Sequence, residues 1–430
     1  MKKRFNYAWI VALMCFLMFF VVPGAGMASL SLYVLPISTA LGIANSAFSV
    51  IISIAAIGIF IFSMLFGFLQ KKIGLKKMIT IGLSLSVVAM LMFAFSKSLV
   101  MYYIAALLTG IGYVAGTATM CSTIITSWFV KRQGLILGII FTAPNFGAML
   151  FYPLIGSWIE KLGYSNSFLL CAGAMLITMI IVSIFIRVHP SDMGQLPYGA
   201  EEAKTEATKQ EKELSGPTFS QAFKTANFWL LIFTALLLGL AMPAFQSIMP
   251  VFLGETGFDL IFVGTVLGAA ALFSSFSDII MGLINDKFGI LITNAFGCGC
   301  FILSAVFLLF GKSEIFIWIS AVLLGIGLAE VSLPIPLMVE KIFGKKAFST
   351  IMGIVFGLTF LGFAIGTPLG NLINEATGKF EYAFMIQITM TALAFLFSTI
   401  ALKKKLIIKR IQPVQPNASS SQASNGDITA

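Results

Sequence analysis

Polar residues in this chain gather into short clusters, and long apolar runs lie between them. Twelve runs are distinguishable, near 8–35, 46–69, 77–96, 99–127, 133–159, 166–187, 226–253, 260–284, 290–310, 314–340, 347–373 and 381–402. A helix needs roughly 20 apolar residues to cross hydrocarbon. None of the runs shows the ten-residue alternation of a membrane strand, and open sheet edges cannot face lipid. The pattern predicts an all-α integral membrane protein with twelve transmembrane helices. The long polar stretch, Val188 to Lys224 with "EEAKTEATKQEKELSGP", divides six runs from six. The expected organisation is an N-terminal bundle over 1–187, a central loop over 188–225, a C-terminal bundle over 226–402 and a disordered tail over 403–430. The first run follows "MKKR" but is too long for a signal peptide, so it is read as a retained helix.

Composition agrees with the pattern and charge adds an orientation. Hydrophobic residues make up 59% of the chain and charged ones 10%, against about 25% charged in soluble domains. A net charge of +10 on a soluble protein would point to nucleic acid. Here, with the N-terminus inside, 23 of the 27 Lys and Arg fall on the cytoplasmic side, leaving Lys97, Lys161, Lys312 and Lys379 outside. That asymmetry predicts both termini in the cytoplasm of a multi-pass protein of the cell membrane. The lipid bilayer is then the surrounding partner and nucleic acid is not. The five cysteines sit in apolar runs without metal-ligand spacing, and His189 stands alone in a loop. No metal, cofactor or catalytic constellation is expected, so the chain is not read as an enzyme, and it is expected to be monomeric.

The two halves also match each other. A constant shift of 215 residues pairs Gly67 with Gly282, Lys72 with Lys287, Gly74 with Gly289, Gly110 with Gly325 and Gly112 with Gly327. It continues through Lys131/Lys346, Gly147/Gly362, Pro153/Pro368 and Glu160/Glu375. One offset over about a hundred residues points to an internal duplication.

Two parallel six-helix repeats are the plan of the major facilitator superfamily, and specific stretches resemble it. "GFLQKKIGLKK" resembles its signature loop in Gly67, Lys72, Gly74, Lys76 and Lys77, with Lys71 where the loop has Asp. The second copy, "GLINDKFGILI", keeps Gly282, Asp286, Lys287 and Gly289. The resemblance implies a gate latch at these loops and a substrate site between the halves near the midplane. A plain positive-inside loop explains the lysines but not two similarly spaced copies. "YAWIV", "WFVKRQGLILGI" and "HPSDMGQLPYG" resemble the oxalate/formate antiporter and monocarboxylate transporter branch, and Lys131 and Arg132 of the second are grouped with the gate loops. Oxalate-type members carry an Arg where this chain has Asp278, and a Lys in span eleven, which has no basic residue here. No predicted span holds a Lys, Arg or His away from its ends, which argues against a dianionic substrate.

Two carboxylates fall well inside spans, Asp278 in span eight and Glu330 in span ten. A carboxylate in hydrocarbon must face a cavity, pair with a cation or take up a proton. Ser274 and Ser275 precede Asp278 by four and three residues, on a helical face able to hydrogen-bond the acid or help bind a cation. The repeat partners of the two acids are Ser63 and Ala115, so a coupling site in one half is expected. The alternative is that both acids are protonated packing groups. "PGAGMASLSLY" in span one and "AMPAFQSIMP" in span seven read as equivalent helices broken by Pro and Gly, and they supply Tyr33 and Gln246 as substrate contacts. Tyr113 and Asn145 complete that set, with helix packing as the plainer reading of each.

These features predict a secondary transporter moving a small organic solute, of monocarboxylate type, with protons coupled through Asp278 or Glu330. The alternatives are proton-driven export of an amphipathic or cationic compound and, in another class, a membrane sensor or scaffold without flux.

Overall fold

A computed structural model describes residues 6–114, 118–199, 216–310, 313–344 and 346–403. Ala115, Lys312, most of the acidic central stretch and the tail from 404 lie outside the described residues. Eleven described helices are long and apolar enough to cross a membrane, and Leu99–Tyr113 is a shorter apolar one. In chain order they are α1 Ala8–Leu41, α2 Asn45–Ile73, α3 Leu75–Phe95, α4 Leu99–Tyr113 with Ala118–Trp128, α5 Gln133–Leu162 and α6 Tyr164–Phe185. The second six are α7 Ala226–Glu255, α8 Leu260–Phe288, α9 Ile290–Leu309, α10 Glu314–Phe343, α11 Phe348–Thr377 and α12 Phe380–Lys403. No strand occurs among the described residues beyond one isolated bridge, Phe129 to Tyr198.

The spans follow the apolar runs closely, and proline decides where they deviate. In α1 the turn Val22–Met27 widens to a π-helix and Ala28–Tyr33 tightens to a 3-10 helix before the α-helix resumes. Pro23 cannot donate a backbone hydrogen bond, so the ladder is rerouted there instead of being cut. The expected break in α7 is absent. Ala226–Glu255 stays one helix through Pro243 and Pro250, because each proline deletes one bond of a ladder that its neighbours continue. α10 does pause, at Leu333, where Pro334 starts a new segment.

The duplication reappears in the contacts. A Cβ built on Gly110 of α4 would come 2.1 Å from the Ala55 carbonyl oxygen of α2, and one on Gly325 of α10 would come 2.3 Å from that of Ala270 in α8. Both glycines and both carbonyls are 215 residues apart. Gly147 of α5 likewise meets Phe20 of α1, while its partner Gly362 of α11 meets Leu236 and Leu240 of α7. Close backbone approach at small residues is how helices adhere in lipid, where apolar surface gains nothing by pairing. The two bundles therefore share one packing scheme.

The bundles meet along α5–α8 and α2–α11. We call the face with Lys71, Lys72, Lys76, Lys77, Lys131 and Lys346 the basic face. At the opposite face the halves are sealed. A Cβ on Gly156 of α5 would lie 2.2 Å from the Leu260 oxygen of α8, and one on Gly264 would lie 2.4 Å from the Tyr152 oxygen. Asn45 Nδ2 donates to Glu255 Oε1 at 2.8 Å, and the Ser46 amide donates to Glu375 Oε1 at 2.7 Å. Deeper, Ser53 Oγ of α2 donates to the Ala364 carbonyl of α11.

The seal can be weakened by one methyl group. Gly156→Ala sets that methyl against a backbone oxygen that cannot rotate away, and such overpacking costs about 1–3 kcal/mol. The sealed-to-open ratio should fall roughly five-fold or more. Spin labels at Lys161 and Lys379 should then show a growing long-distance component. Gly138→Ala, at a position with nothing within 4 Å of the added carbon, should leave the distribution unchanged.

Candidate functional site

Three helices of the C-terminal bundle, α8, α9 and α10, hold the two intramembrane acids at separate contacts. Asp278 is half-buried on α8, and its Oδ1 accepts a hydrogen bond of 2.5 Å from Ser332 Oγ at the end of the first segment of α10. The same hydroxyl lies 2.9 Å from the Ala329 carbonyl, an alternative acceptor that holds it in place. Glu330 stands two residues earlier on α10, about 200° around the helix, and so faces α9 instead. It is 0% exposed, and neither of its carboxyl oxygens has a hydrogen-bond partner among the described residues. A Cβ on Gly297 of α9 would lie 2.1 Å from Glu330 Oε2, so the carboxyl occupies the space that a side chain at 297 would fill.

Such a group is an exception among buried polar atoms, which are nearly all hydrogen-bonded. An ionised carboxylate there would have neither water nor a donor, and it needs a proton or a cation to be tolerated. Ser304 and Ser320, which tie α9 to α10 farther along, show the satisfied alternative, each hydroxyl reaching the other residue's carbonyl at 2.8 and 2.9 Å.

The serines expected beside Asp278 do something else. Ser275 Oγ donates to the Ala271 carbonyl of its own helix at 3.2 Å. The Ser274 backbone packs on α10, its amide nitrogen 3.0 Å from a Cβ built at Gly325. The partner of Asp278 is Ser332, which lies 54 residues away in sequence. Its one sequence signal is a hydroxyl beside the Leu333–Pro334 interruption and two residues from Glu330.

Among the expected substrate contacts, Tyr113, Asn145 and Gln246 are partly exposed on α4, α5 and α7. None makes a side-chain hydrogen bond among the described residues. Tyr33 is separated from them. It is 0% exposed inside the N-terminal bundle, stacked on Phe168 at 3.8 Å, and its hydroxyl shares a 2.7 Å hydrogen bond with Ser167. That position makes it a packing residue of α1 against α6.

At the basic face, the two signature-like loops turn alike. Gly74 and Gly289 take φ of +85° and +80°, a region that favours glycine. Lys72, Lys76, Lys77, Asp286 and Lys287 are exposed, Lys287 Nζ lies 5.2 Å from the Phe288 ring centre, and Asp286 has no ion-pair partner among the described residues. Lys131 and Arg132 are exposed at the start of α5, Arg132 with a φ of +61°. A Cβ added at Gly67 would meet nothing within 4 Å, and one at Gly282 would lie 4.0 Å from the Leu333 side chain.

The three branch-like stretches converge on one clasp. Tyr198 donates its amide to the Trp128 carbonyl at 2.7 Å and accepts from Val130 at 3.0 Å. Trp9 packs edge-on against both Phe129 and Tyr198, and Gln195 Oε1 accepts from the Tyr7 amide at 3.1 Å. These motifs fasten the chain after α6 to the starts of α1 and α5, which explains their joint occurrence without reference to a substrate.

A family model described as Major Facilitator Superfamily matches residues 14–330. Among curated proteins, the chain is 23% identical to a gallate transporter of Pseudomonas putida over 65% of its length and 66% of that protein's. It is 25% identical to the multi-drug resistance efflux pump PmrA of Streptococcus pneumoniae over 84% of its length and 87% of the pump's. It is also 25% identical to the 4-hydroxybenzoate transporter PcaK of Acinetobacter baylyi, over 66% of each chain. Two solved structures share the fold. A point mutant of the nucleoside transporter NupG matches with a TM-score of 0.74 at 15% identity, covering 93% of this chain and 100% of NupG. A bacterial homolog of the human lysosomal transporter Spinster, inward-facing and unoccupied, matches at 0.72 and 12%, covering 94% and 98%.

If Glu330 occupies its site by virtue of the missing side chain at 297, Gly297→Ala and Glu330→Ala should not be additive. Gly297→Ala alone should destabilise the protein, with Tm lowered by an overpacking cost of about 1–3 kcal/mol. In the Glu330→Ala background the same change should cost less, with a coupling energy of about 0.5–3 kcal/mol in a double-mutant thermal-denaturation cycle.

Proposed function

The chain belongs to the major facilitator superfamily, and from that premise we propose that this multi-pass membrane transporter couples proton movement to the passage of a small organic acid. The basic face is taken as cytoplasmic and the membrane as the cell membrane, on the positive-inside asymmetry. The sealed opposite face then makes this an inward-facing arrangement, with the central stretch 188–225 joining the two rocking bundles.

The observation that carries the reading is Glu330 on α10, a carboxyl with both oxygens buried and unpartnered among the described residues. Holding an acid at a helix centre costs about 3 kcal/mol even in insertion measurements, so its presence calls for a use. Asp278, half-buried and held by Ser332, is the acid that exchanges protons with the cavity, while Glu330 is closed off in this conformation. Movement of one bundle against the other changes which acid water can reach. Gln246, Asn145 and Tyr113 supply neutral hydrogen-bonding groups for the solute, and Asp286 and Lys287 serve with Lys131 and Arg132 as the gate at the cytoplasmic face.

A monocarboxylate fits this site better than a dianion. No predicted span offers a basic residue away from its ends, so the negative charge of the solute is balanced by the carried proton. The printed names of three relatives support the class, being transporters of gallate, 4-hydroxybenzoate and monocarboxylates. A second reading, export of amphipathic cations, is favoured by the reach of the match to PmrA and by the partial exposure of Asp278, whose carboxylate can hold a cationic head.

Proteoliposomes given a gradient of one pH unit should accumulate a one-to-one coupled monocarboxylate about tenfold. Glu330→Gln and Asp278→Asn should abolish that accumulation while retaining solute exchange without a gradient. If a lipophilic cation is moved and gallate, 4-hydroxybenzoate and lactate are not, the export reading replaces this one. Equal gradient-driven accumulation by wild type and both variants would remove the two acids from the coupling.

A further inference from the structure

The interface of the two bundles is asymmetric toward the basic face. Between α2 and α11 lies a cleft of about 380 Å³ walled by Ala56, Phe60, Met64, Ile354, Leu358 and Leu361 among others. Among the described lining residues its one hydroxyl is that of Thr350, at the basic end. The outer rim is continuous with the lipid-facing surface, because Ile57 and Leu361 are 43% and 45% exposed and are followed along their helices by exposed Ile61, Phe68, Ile365 and Leu372. The floor includes Gly353, where an added Cβ would meet nothing within 4 Å. A dry, apolar space open to hydrocarbon is filled by hydrocarbon.

The charges at its mouth select which hydrocarbon. Lys71 follows Met64 by seven residues, two turns along the same face of α2, and Lys346 precedes Thr350 by four at the start of α11. Both are exposed, and neither has an ion-pair partner among the described residues. Lys72, Lys76 and Lys77 reinforce the positive charge. The duplication gives an internal comparison. The residue 215 positions after Lys71 is Asp286 on α8, and the repeat partner of Lys346 is Lys131, two residues before α5. At corresponding positions the α5–α8 pair thus carries opposite charges and the α2–α11 pair like charges. Like charges there repel unless an anion lies between them.

We propose that the α2–α11 cleft holds an acyl chain of an anionic phospholipid whose phosphate is seated between Lys71 and Lys346. The chain fills the cleft from Thr350 toward Ala364, and the headgroup stays at the basic face where the lysines are. Lys71, standing where the superfamily loop has an acid, is then the residue that converts a gate contact into a lipid seat. The bundles cannot close at this edge until the lipid moves out of the cleft, so this lipid favours the conformation that is open at the basic face. The proposal is independent of the transported solute.

The test is lipid retention by the full chain, read by native mass spectrometry after delipidation and addition of phosphatidylglycerol or phosphatidylcholine of identical acyl chains. Wild type should retain phosphatidylglycerol in preference, each lysine contributing a factor of about five. Lys71→Gln and Lys346→Gln should each lose about that factor, and the double variant should bind both lipids alike. Gly353→Phe, which fills the cleft, should lose retention of both, while the surface lysine variants keep the core untouched and so report even if that one misfolds. Equal retention of the two lipids by wild type, or a preference that survives in the double variant, overturns the proposal. Displacement of phosphatidylglycerol by inorganic phosphate at equal concentration also overturns it, by reducing the site to a phosphate seat without a chain.

Discussion

A helix in hydrocarbon satisfies its own backbone hydrogen bonds and gains nothing from burying apolar side chains against a neighbour. What then holds twelve helices together is close approach, and close approach requires missing side chains. Gly110 against Ala55 and Gly325 against Ala270 are the same contact made twice, and Gly147 and Gly362 repeat the theme for α5 on α1 and α11 on α7. These contacts lie within each bundle and make it stiff. Between bundles, Gly156 and Gly264 close the opposite face, while the basic ends of α2 and α11 stand apart around a cleft. Stiff halves joined at one end are the mechanical requirement for rocking motion.

The same device serves the chemistry. Gly297 of α9 is the repeat partner of Gly82 of α3. In the N-terminal half the Gly82 carbonyl oxygen lies 2.8 Å from where a Cβ on Gly112 would sit, a tight backbone contact. In the C-terminal half the space at 297 is taken by the Glu330 carboxyl. The two halves thus use corresponding glycines differently, one for a backbone contact and the other as room for an acid. Because both intramembrane acids are on α8 and α10, the proposed proton handling falls to one bundle, and the proposed solute contacts Asn145 and Tyr113 fall to the other.

The twelve spans and the duplication are readable in the sequence because the signals are local: run length, and one constant offset. The two acids are readable for the same reason, as lone charges in apolar runs. Which residues face them is not. Ser332, rather than Ser274 or Ser275, bonds Asp278, because the partner is chosen by how α8 crosses α10, which helical spacing within α8 does not encode. The Pro and Gly interruption of span one points to Tyr33 as a solute contact, and the interruption is there, but the ring lies inside the bundle against Phe168, a packing that spacing along α1 does not encode. The prolines of span seven predict a break that does not occur, because the surrounding ladder bridges each lost bond. The branch-like stretches are recognisable as sequence, but their common cause, a clasp of Trp9, Trp128 and Tyr198, exists only once the chain is folded.

On the proposed mechanism, the partnerless carboxyl on α10 carries a proton whenever solute crosses. The most direct measurement is of the proton itself, with a pH-sensitive dye sealed inside proteoliposomes to which a transported monocarboxylate is added, without an imposed gradient. Wild type should acidify the lumen in proportion to solute uptake, and Glu330→Gln should not, while that variant still exchanges solute. Proton entry by Glu330→Gln equal to that of wild type would contradict the mechanism.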